Sequence, residues 1–420
     1  MSAHAAPEEA IAPAQPAAPQ RASYRAVLSV AEFRAIFAAN VVSMLGSVVA
    51  AVALTVLVYQ QTHSPALAAS VMALSFLPYL VGGVLFGAAA DRMPPRRVLV
   101  TCDLASACLV GCMVIPAMPL PALLMLLFAT GLISPLYQGV RSAVLPDVLT
   151  PGPSYILGRS LMRMVAQGAQ VAGYGAGGLL LAIFSPRGAL AADAVSFATS
   201  GLVLRAGMAR RPAAGGPRQR SMARDSLAGL RAALTHRPTR RVLLFSWLVP
   251  ACAVAPEALA APYATHIGQP ARVAGFLLTA IPVGTIAADV FAARFLSTRL
   301  QRAAIVPAAL VSFVPLAGFA ASPGLGLALT LLVVAGLGSA WAAGVDGALL
   351  DAAPPDLRSR ALALSSAGLM FTQGVGFAVW GVVGQYLPLP AAIPLAAAAG
   401  AAVVVALRPS RSNAETCGSE

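Results

Sequence analysis

Five carboxyl side chains lie within long apolar stretches of the sequence, where ionisable groups are rare, and three of them are the strongest candidates for chemistry. Glu257 follows Pro256 in one stretch, and Asp193 and Asp289 lie in two others. If these stretches span a membrane, a charge near the centre of one costs roughly 2.5–3.5 kcal/mol, so such residues usually have a function. We expect Glu257, Asp193 and Asp289 to couple protons or contact a substrate. The alternative for Glu257 is a structural hydrogen bond to a neighbouring helix. The alternative for Asp289 is a remnant of a repeated turn, because it lies at the approximate counterpart of Asp91 in the second half of the chain.

Other kinds of chemistry have little support in the sequence. The five cysteines form no C-x-x-C pair, and the four histidines lie in the N-terminal arm or in loops, without the spacing of metal ligands. No G-x-x-x-x-G-K-[ST] phosphate loop occurs. We therefore expect no cofactor, no metal site and no enzymatic activity.

The elements that carry the three carboxyl groups are predicted to be membrane helices. Of 420 residues, 58% are hydrophobic and 10% are charged, with a mean hydropathy of +0.79, whereas soluble domains carry about 25% charged residues. In lipid, only helices and closed barrels satisfy their own backbone polar groups. The apolar runs are long and unbroken, unlike the short alternating segments of barrel strands. The sequence therefore predicts an all-α integral membrane protein embedded in a lipid bilayer.

About twelve stretches approach the roughly 20 residues that a spanning helix needs, and ten to twelve is the range that the boundaries allow. They cover residues 35–58, 67–90, 98–118, 121–143, 160–184, 188–208, 242–264, 272–296, 303–321, 324–349, 361–386 and 390–407. We predict a disordered cytoplasmic arm at 1–30, an N-terminal six-helix bundle at 31–208, a basic cytoplasmic linker at 209–241, a C-terminal six-helix bundle at 242–408 and a cytoplasmic tail at 409–420.

The arginines predict how the chain is oriented in the membrane. All 28 basic residues are Arg, which indicates a GC-rich bacterial genome more than a nucleic-acid partner. With the N-terminus inside, all but Arg187 and Arg272 fall in cytoplasmic segments or the adjacent helix ends. This is the distribution that the positive-inside rule expects. We predict a multi-pass protein of the plasma membrane with both termini in the cytoplasm.

The turn after the second stretch has a recognisable pattern. Gly87 is followed four residues later by Asp91 and Arg92, and then by Arg96 and Arg97. Opposite charges at a helix end can hold one conformation and release it in another, so we predict a conformational latch here. The pattern resembles the signature of the major facilitator superfamily, from which it departs by two prolines between the basic residues.

The resemblance covers about residues 24–407 and is closest to a branch that includes macrolide-efflux and siderophore-export proteins. The matching elements are Ser43 and Gly46, Thr62-His63-Ser64, Arg141 with Pro146-Asp147, Asp193 to Phe197, and the cytoplasmic turn of the second half with Asp356, Arg358 and Arg360. Asp193 belongs to this pattern, which favours a structural role for it. Arg141 and Arg163 are candidates for an inner gate with Asp103 and Asp346.

The fifth stretch carries a glycine cluster. Gly173, Gly177 and Gly178 resemble the Gly-Pro-x-x-Gly-Gly motif that is linked to antiport in exporters, although Tyr174 replaces its proline. Close helix packing through small residues explains the cluster equally well.

The resemblance implies a secondary transporter with two six-helix bundles around a central cavity. It further implies a monomer that exports an amphipathic small molecule, such as a drug, an antibiotic, a siderophore or another secondary metabolite, in exchange for protons. The alternatives are an importer of a small nutrient and a membrane sensor or scaffold that does not transport.

Overall fold

The computed structural model describes residues 24–78, 93–116, 118–149, 153–183, 185–212, 231, 233–354 and 357–408. Within these ranges the chain is helical and contains no β-strand. The α-helices are α1 (Tyr24–Ser29), α2 (Ala31–Thr62), α3 (Pro65–Phe76), α4 (Pro95–Met113), α5 (Leu120–Val148), α6 (Pro153–Ile183), α7 (Pro186–Gly207), α8 (Arg237–Ala253), α9 (Ala255–Ala258), α10 (Ala260–His266), α11 (Ala274–Phe295), α12 (Thr298–Ala303), α13 (Ile305–Val311), α14 (Leu325–Leu337), α15 (Ala342–Ala352), α16 (Arg358–Tyr386) and α17 (Leu389–Leu407).

The predicted all-α membrane fold is confirmed. In the described part of the chain, eight helical segments are long and apolar enough to cross a membrane, and Pro65–Phe76 and Ile305–Ala321 are shorter apolar helices. Each of the twelve predicted stretches overlaps helical residues in the described ranges, which is consistent with the predicted number of helices. The second stretch continues from α3 into residues 79–92, which lie outside the described ranges.

Two predicted continuous helices are broken in the structure. The stretch predicted at 242–264 is divided into α8, α9 and α10, with Pro256 in α9 and Pro262 in α10. The stretch at 303–321 ends in a 3-10 helix, Val314–Ala321, with a proline in its first turn. Proline lacks a backbone N–H and its ring clashes with the preceding turn, so a helix breaks or changes its winding there.

The helices pack in two groups that follow the order of the chain. In the first group, α2 packs against α6 and α7, and α4 packs against α5 and α7. In the second group, α8 packs against α16 and α17, and α11 packs against α14. The groups meet where α3 packs against α16 and where α6 packs against α11. The predicted domain boundaries stay a prediction, because most of the arm, the linker and the tail lie outside the described residues.

Two hydrogen bonds and the stacked rings of Phe76 and Phe377 join the two groups of helices. Ser64, which caps α3, donates its hydroxyl to Gln385 near the end of α16 over 2.7 Å. The Tyr59 hydroxyl and Thr265 Oγ1 are 3.1 Å apart. We call the residues Tyr59, Ser64, Thr265 and Gln385 the end contact. They all lie at the end of the bundle where α2 finishes and α3 begins.

The segment after α7 is fixed to the start of α2. Arg211 donates two guanidinium hydrogen bonds to the Glu32 carboxylate, and the Ala209 backbone N–H donates a third over 3.0 Å. Hydrogen bonding to Glu32 raises the pKa of Arg211, which stays charged. The ion pair thus holds the start of the predicted linker against the first group of helices.

Candidate functional site

A cavity of about 820 Å³ lies between the two groups of helices. Side chains from both groups line it, so a molecule inside would contact both at once. Its polar lining includes Asn40, Ser47, Asp103, Tyr137, Arg141, Tyr174, Asp193, Glu257 and Gln373. Its apolar lining includes Phe76, Phe197, Trp341 and Phe377. This mixture of apolar walls and a few polar groups is typical of a small-molecule site.

Glu257 is the cavity residue whose charge is least compensated. It lies in α9, the four-residue helix between two breaks, and its side chain is half-buried. It makes no hydrogen bond or salt bridge with any other residue that the structure describes. Tyr174, on the opposite group of helices, is close enough to interact with it electrostatically. A carboxyl group in apolar surroundings without a partner is expected to take up a proton or to bind a positively charged ligand.

Asp193 is buried, with 3% of its surface exposed, and it lines the cavity from α7. Ser196 Oγ and Ser47 Oγ lie 3.1 and 3.4 Å from its Oδ1 atom. Each hydroxyl has only one hydrogen to donate, and each has a nearer acceptor, a backbone carbonyl oxygen at 2.8 and 2.9 Å respectively. Asp193 therefore has weak donors and no cationic partner among the described residues.

Because Gly46 has no side chain, there is room beside it for the Asp193 carboxyl. A Cβ atom at Gly46 would lie 2.6 Å from Asp193 Oδ1 and 2.2 Å from Ser196 Oγ. Both distances are shorter than any real contact of that kind, so α2 and α7 approach this closely only because residue 46 has no side chain.

A second polar cluster lies in the first group of helices and contains the one basic side chain of the described lining. Arg141 donates to Asn40 Oδ1, and its guanidinium carbon lies 5.8 Å from the centre of the Tyr137 ring. Asp103 accepts a 2.6 Å hydrogen bond from Ser200 and is attracted by Arg141. Arg141 and Asp103 therefore partly neutralise each other inside the cavity.

The sequence predicts Arg141 and Asp103 at an inner gate, whereas Asn40 and Tyr137 emerge as cavity residues only in the structure. The structure describes no side-chain contacts for Arg163 or Asp346, so their part in a gate stays a prediction. The sequence does contain a pattern that indicates Asn40. Polar residues at positions 40, 43 and 47 are spaced by three and four, so they share one face of an otherwise apolar helix.

Asp289 does not reach the cavity in this structure. It lies in the last third of α11 and is exposed, and it is absent from the cavity lining. Its predicted role in coupling remains a prediction. Of the three carboxyl groups selected from the sequence, the structure brings only Glu257 and Asp193 to the same cavity.

Part of the predicted latch lies outside the described residues, namely Gly87, Asp91 and Arg92. Arg96 donates a guanidinium hydrogen bond to the backbone carbonyl of Arg205, and Arg97 is exposed. The latch therefore stays a prediction.

The glycine cluster and the turn of the second half are described only in part. Gly173 lies in α6, where an added Cβ atom would be 2.7 Å from the side chain of Val48. This supports its packing role. Gly177 and Gly178 also lie in α6, Arg358 and Arg360 lie in the first turn of α16, and Asp356 lies outside the described residues.

Residues 22–416 match the protein family described as transmembrane secretion effectors. The chain belongs to this family. Its members are transporters of the major facilitator superfamily, so the predicted superfamily is confirmed. The narrower branch of macrolide and siderophore exporters stays a prediction. No functionally curated protein matches the chain significantly.

Solved structures of transporters share the fold. A peptide transporter POT in complex with sulfate has a TM-score of 0.69 and 14% identity, and the match covers 93% of this chain and 95% of that one. A variant of the nucleoside transporter NupG has a TM-score of 0.68 and 16% identity, over 89% and 98% of the two chains. A D-xylose-proton symporter has a TM-score of 0.64 and 14% identity, over 92% and 98%.

The family member described here is therefore a membrane transporter, which lies in a lipid bilayer and carries a small molecule. The family and the similar structures are transporters and not enzymes.

Proposed function

We propose that this protein exports amphipathic small molecules in exchange for protons, by exposing the central cavity alternately to the two sides of the membrane. The observation that carries the proposal is the Glu257 carboxyl, which faces the cavity without a hydrogen-bond or ion-pair partner among the described residues.

Glu257 is the proposed proton carrier because it lacks a permanent partner. A structural carboxyl group inside a membrane protein is normally paired or hydrogen-bonded, since an uncompensated charge there is costly. Glu257 instead faces a space that solvent and substrate can enter. Its protonation removes a charge from the cavity and so changes the relative free energies of conformations that hydrate the carboxyl differently.

The proposed orientation places both termini in the cytoplasm, on the basis of the arginine distribution. The end contact, formed by Tyr59, Ser64, Thr265 and Gln385, would then lie on the outer side of the membrane. The two groups of helices would have to separate there before the cavity could release its contents outward.

The proposal of an amphipathic substrate rests on the resemblance to exporters and is consistent with the lining. Phe76, Phe197, Trp341 and Phe377 offer apolar and aromatic contacts, and the polar side chains opposite them offer hydrogen bonds. The proposed transporter works as a monomer, within which the cavity is already complete.

Accumulation of fluorescent amphipathic dyes tests this function. The protein is expressed in a host that lacks its own drug pumps, and dye retention is measured with and without a protonophore. We expect lower retention that the protonophore reverses. Glu257→Gln should abolish uphill export at unchanged membrane expression, because the amide neither binds nor releases a proton.

A rescue variant adds Gln373→Glu to Glu257→Gln, which places a new carboxyl in the cavity beside those of Asp103 and Asp193. Recovery of export by this second change would show that a carboxyl at position 373 can replace that of Glu257. Full proton-driven export by Glu257→Gln alone would exclude Glu257 as the carrier. Increased dye uptake would instead favour an importer, and unchanged retention across the panel would favour a non-transporting protein.

A further inference from the structure

We propose that α2 and α7 hold a sodium ion between them, at a site formed by the Asp193 carboxylate and the hydroxyl oxygens of Ser47 and Ser196. The two helices belong to the same group, so the ion is a structural ligand and not a transported one. The inference does not depend on the proposed function. Patterns of His and Cys spacing do not detect such a site, because serine hydroxyls from helices distant in sequence supply two of its ligands.

Three oxygen atoms meet at this site without a hydrogen atom between them. Asp193 Oδ1 lies 3.1 Å from Ser196 Oγ and 3.4 Å from Ser47 Oγ. Each serine hydroxyl has one hydrogen to donate. Ser196 donates it to the backbone carbonyl of Asp193 over 2.8 Å. Ser47 donates it to the backbone carbonyl of Ser43 over 2.9 Å. Both hydroxyls therefore turn lone pairs toward the carboxylate oxygen, and a cation between the three oxygens replaces their mutual repulsion by attraction.

The Asp193 carboxylate lacks the compensation that a buried charge requires. Only 3% of the residue is exposed, and no Arg or His among the described residues interacts with its carboxylate. The nearby charges of Asp103 and Arg141 attract each other, so neither is available to Asp193. Buried charges in proteins are paired or coordinate metal ions, because an isolated charge in apolar surroundings is costly. A bound cation is therefore the partner that this carboxylate lacks.

The site has room for an ion and a route by which the ion can enter. A Cβ atom at Gly46 would lie 2.6 Å from Asp193 Oδ1 and 2.2 Å from Ser196 Oγ, so two of the three oxygens border the space that the glycine leaves open. Ser47 and Asp193 also line the central cavity. An ion can reach them from the cavity, and water molecules there can supply the remaining ligands.

The charge and the spacing of the oxygens favour Na⁺ over other metal ions. One carboxylate balances a single positive charge, whereas a divalent ion would leave an uncompensated charge in apolar surroundings. Na⁺ is nearly the size of Ca²⁺, whose oxygen ligands lie at about 2.3–2.6 Å, so neighbouring oxygens of an octahedral shell are roughly 3.3–3.7 Å apart. The distances of 3.1 and 3.4 Å from Asp193 Oδ1 are close to this spacing. The larger K⁺ ion requires oxygens that are farther apart.

Binding of radioactive sodium to the purified full chain in detergent tests the inference. The buffer is mildly alkaline, and unlabelled Na⁺, K⁺, Ca²⁺ or choline compete as chloride salts at equal ionic strength. We expect saturable binding of a single Na⁺ per chain, which K⁺ displaces at least ~tenfold less effectively than unlabelled Na⁺ does. Sodium should also raise the melting temperature by about 2–4 °C relative to choline, because a ligand of the folded state alone stabilises it.

Substitutions then assign the ligands. Asp193→Asn should abolish sodium binding, because the amide carries no charge. In choline chloride this variant should melt no lower than the original chain, since it no longer buries a charge, and this separates loss of the ion from loss of the fold. Ser47→Ala and Ser196→Ala should each weaken sodium binding by ~tenfold or more. The matched control is Thr199→Ala, which removes an exposed hydroxyl of α7 that donates to the Val195 carbonyl and should leave binding unchanged.

Four results would overturn the inference. They are the absence of saturable sodium binding, displacement by K⁺, Ca²⁺ or choline as effective as by Na⁺, undiminished sodium binding by Asp193→Asn, and loss of sodium binding in Glu257→Gln. An Asp193 carboxyl that is simply protonated needs no metal ion and would give the first of these results.

Failure of the sodium site and failure of the proposed function are distinguishable. If sodium binds as expected but no compound is exported, the sodium site stands and the export function is wrong. If export depends on protons but no sodium binds, the export function stands and the sodium site is wrong. Glu257→Gln separates the two directly, because it should lose export and retain sodium binding.

Discussion

At the scale of single residues, the charged groups of the central cavity differ in how fully hydrogen bonds and opposite charges compensate them. Arg141 and Asp103 have partners nearby, Asp193 has two weak donors, and Glu257 has none among the described residues. This order matters for function. The free energy of a charge that is already paired changes little when a ligand enters the cavity, whereas the free energy of an unpaired charge changes strongly.

A substitution of Gly46 tests whether the close packing of α2 against α7 around the Asp193 carboxyl requires a residue without a side chain. Gly46→Ala should destabilise the protein by about 1–3 kcal/mol, because the new methyl group overlaps Asp193 and Ser196. Thermal unfolding in detergent measures the change. The control is Gly139→Ala in α5, where an added Cβ atom meets nothing within 4 Å. Equal melting temperatures for the two variants would show that α2 and α7 can separate without cost.

At the scale of elements, the broken helix α8–α9–α10 is the feature that presents Glu257. Val254 and Leu259 depart from regular helical dihedral angles at the two ends of α9, so the winding of the helix changes on both sides of Glu257. Proline is tolerated there because the neighbouring helices and turns satisfy the backbone groups that it leaves unpaired. The sequence marked the prolines but did not show that the helix divides at them.

Removing the proline of α9 tests this presentation. Pro256→Ala should restore regular helical hydrogen bonding and reorient Glu257, so proton-driven export should fall several-fold while the melting temperature stays the same or rises. Pro186→Ala is the control, because Pro186 lies in the first turn of α7, where a missing N–H removes no helical bond. If export by Pro256→Ala equals that of the control, the break does not position the carboxyl.

At the scale of the whole molecule, the two groups of helices enclose the cavity and are joined at the end contact. Alternating access requires this contact to form and break. A neutral hydrogen bond contributes about 0.5–1.5 kcal/mol, which is large enough to shift a conformational equilibrium and small enough for substrate binding to overcome.

Ser64→Ala tests the end contact, because it removes the 2.7 Å hydrogen bond to Gln385, and Gln385→Ala removes the same bond without losing the cap of α3 that the Ser64 hydroxyl also provides. The conformation with the end contact separated should gain population by about two- to tenfold. Distances between spin labels on α2 and α10 measure that population. Thr330→Ala is the control, since its hydroxyl bonds only to a carbonyl of its own helix. An unchanged distance distribution in Ser64→Ala would exclude the contact as a restraint.

The all-α membrane class is predictable from the sequence, because too few charged residues are present to cover a water-facing surface and the apolar runs are of membrane length. The sequence also singled out Glu257 and Asp193, since a carboxyl group within an apolar run is recognisable from local composition alone. It left the partner of each carboxyl undecided. Whether Asp193 meets Ser47, whether Arg141 offsets Asp103, and whether Asp289 reaches the cavity depend on how helices distant in sequence are rotated against each other. That rotation is set by side-chain packing between helices such as α2 and α7, and not by the composition of either helix.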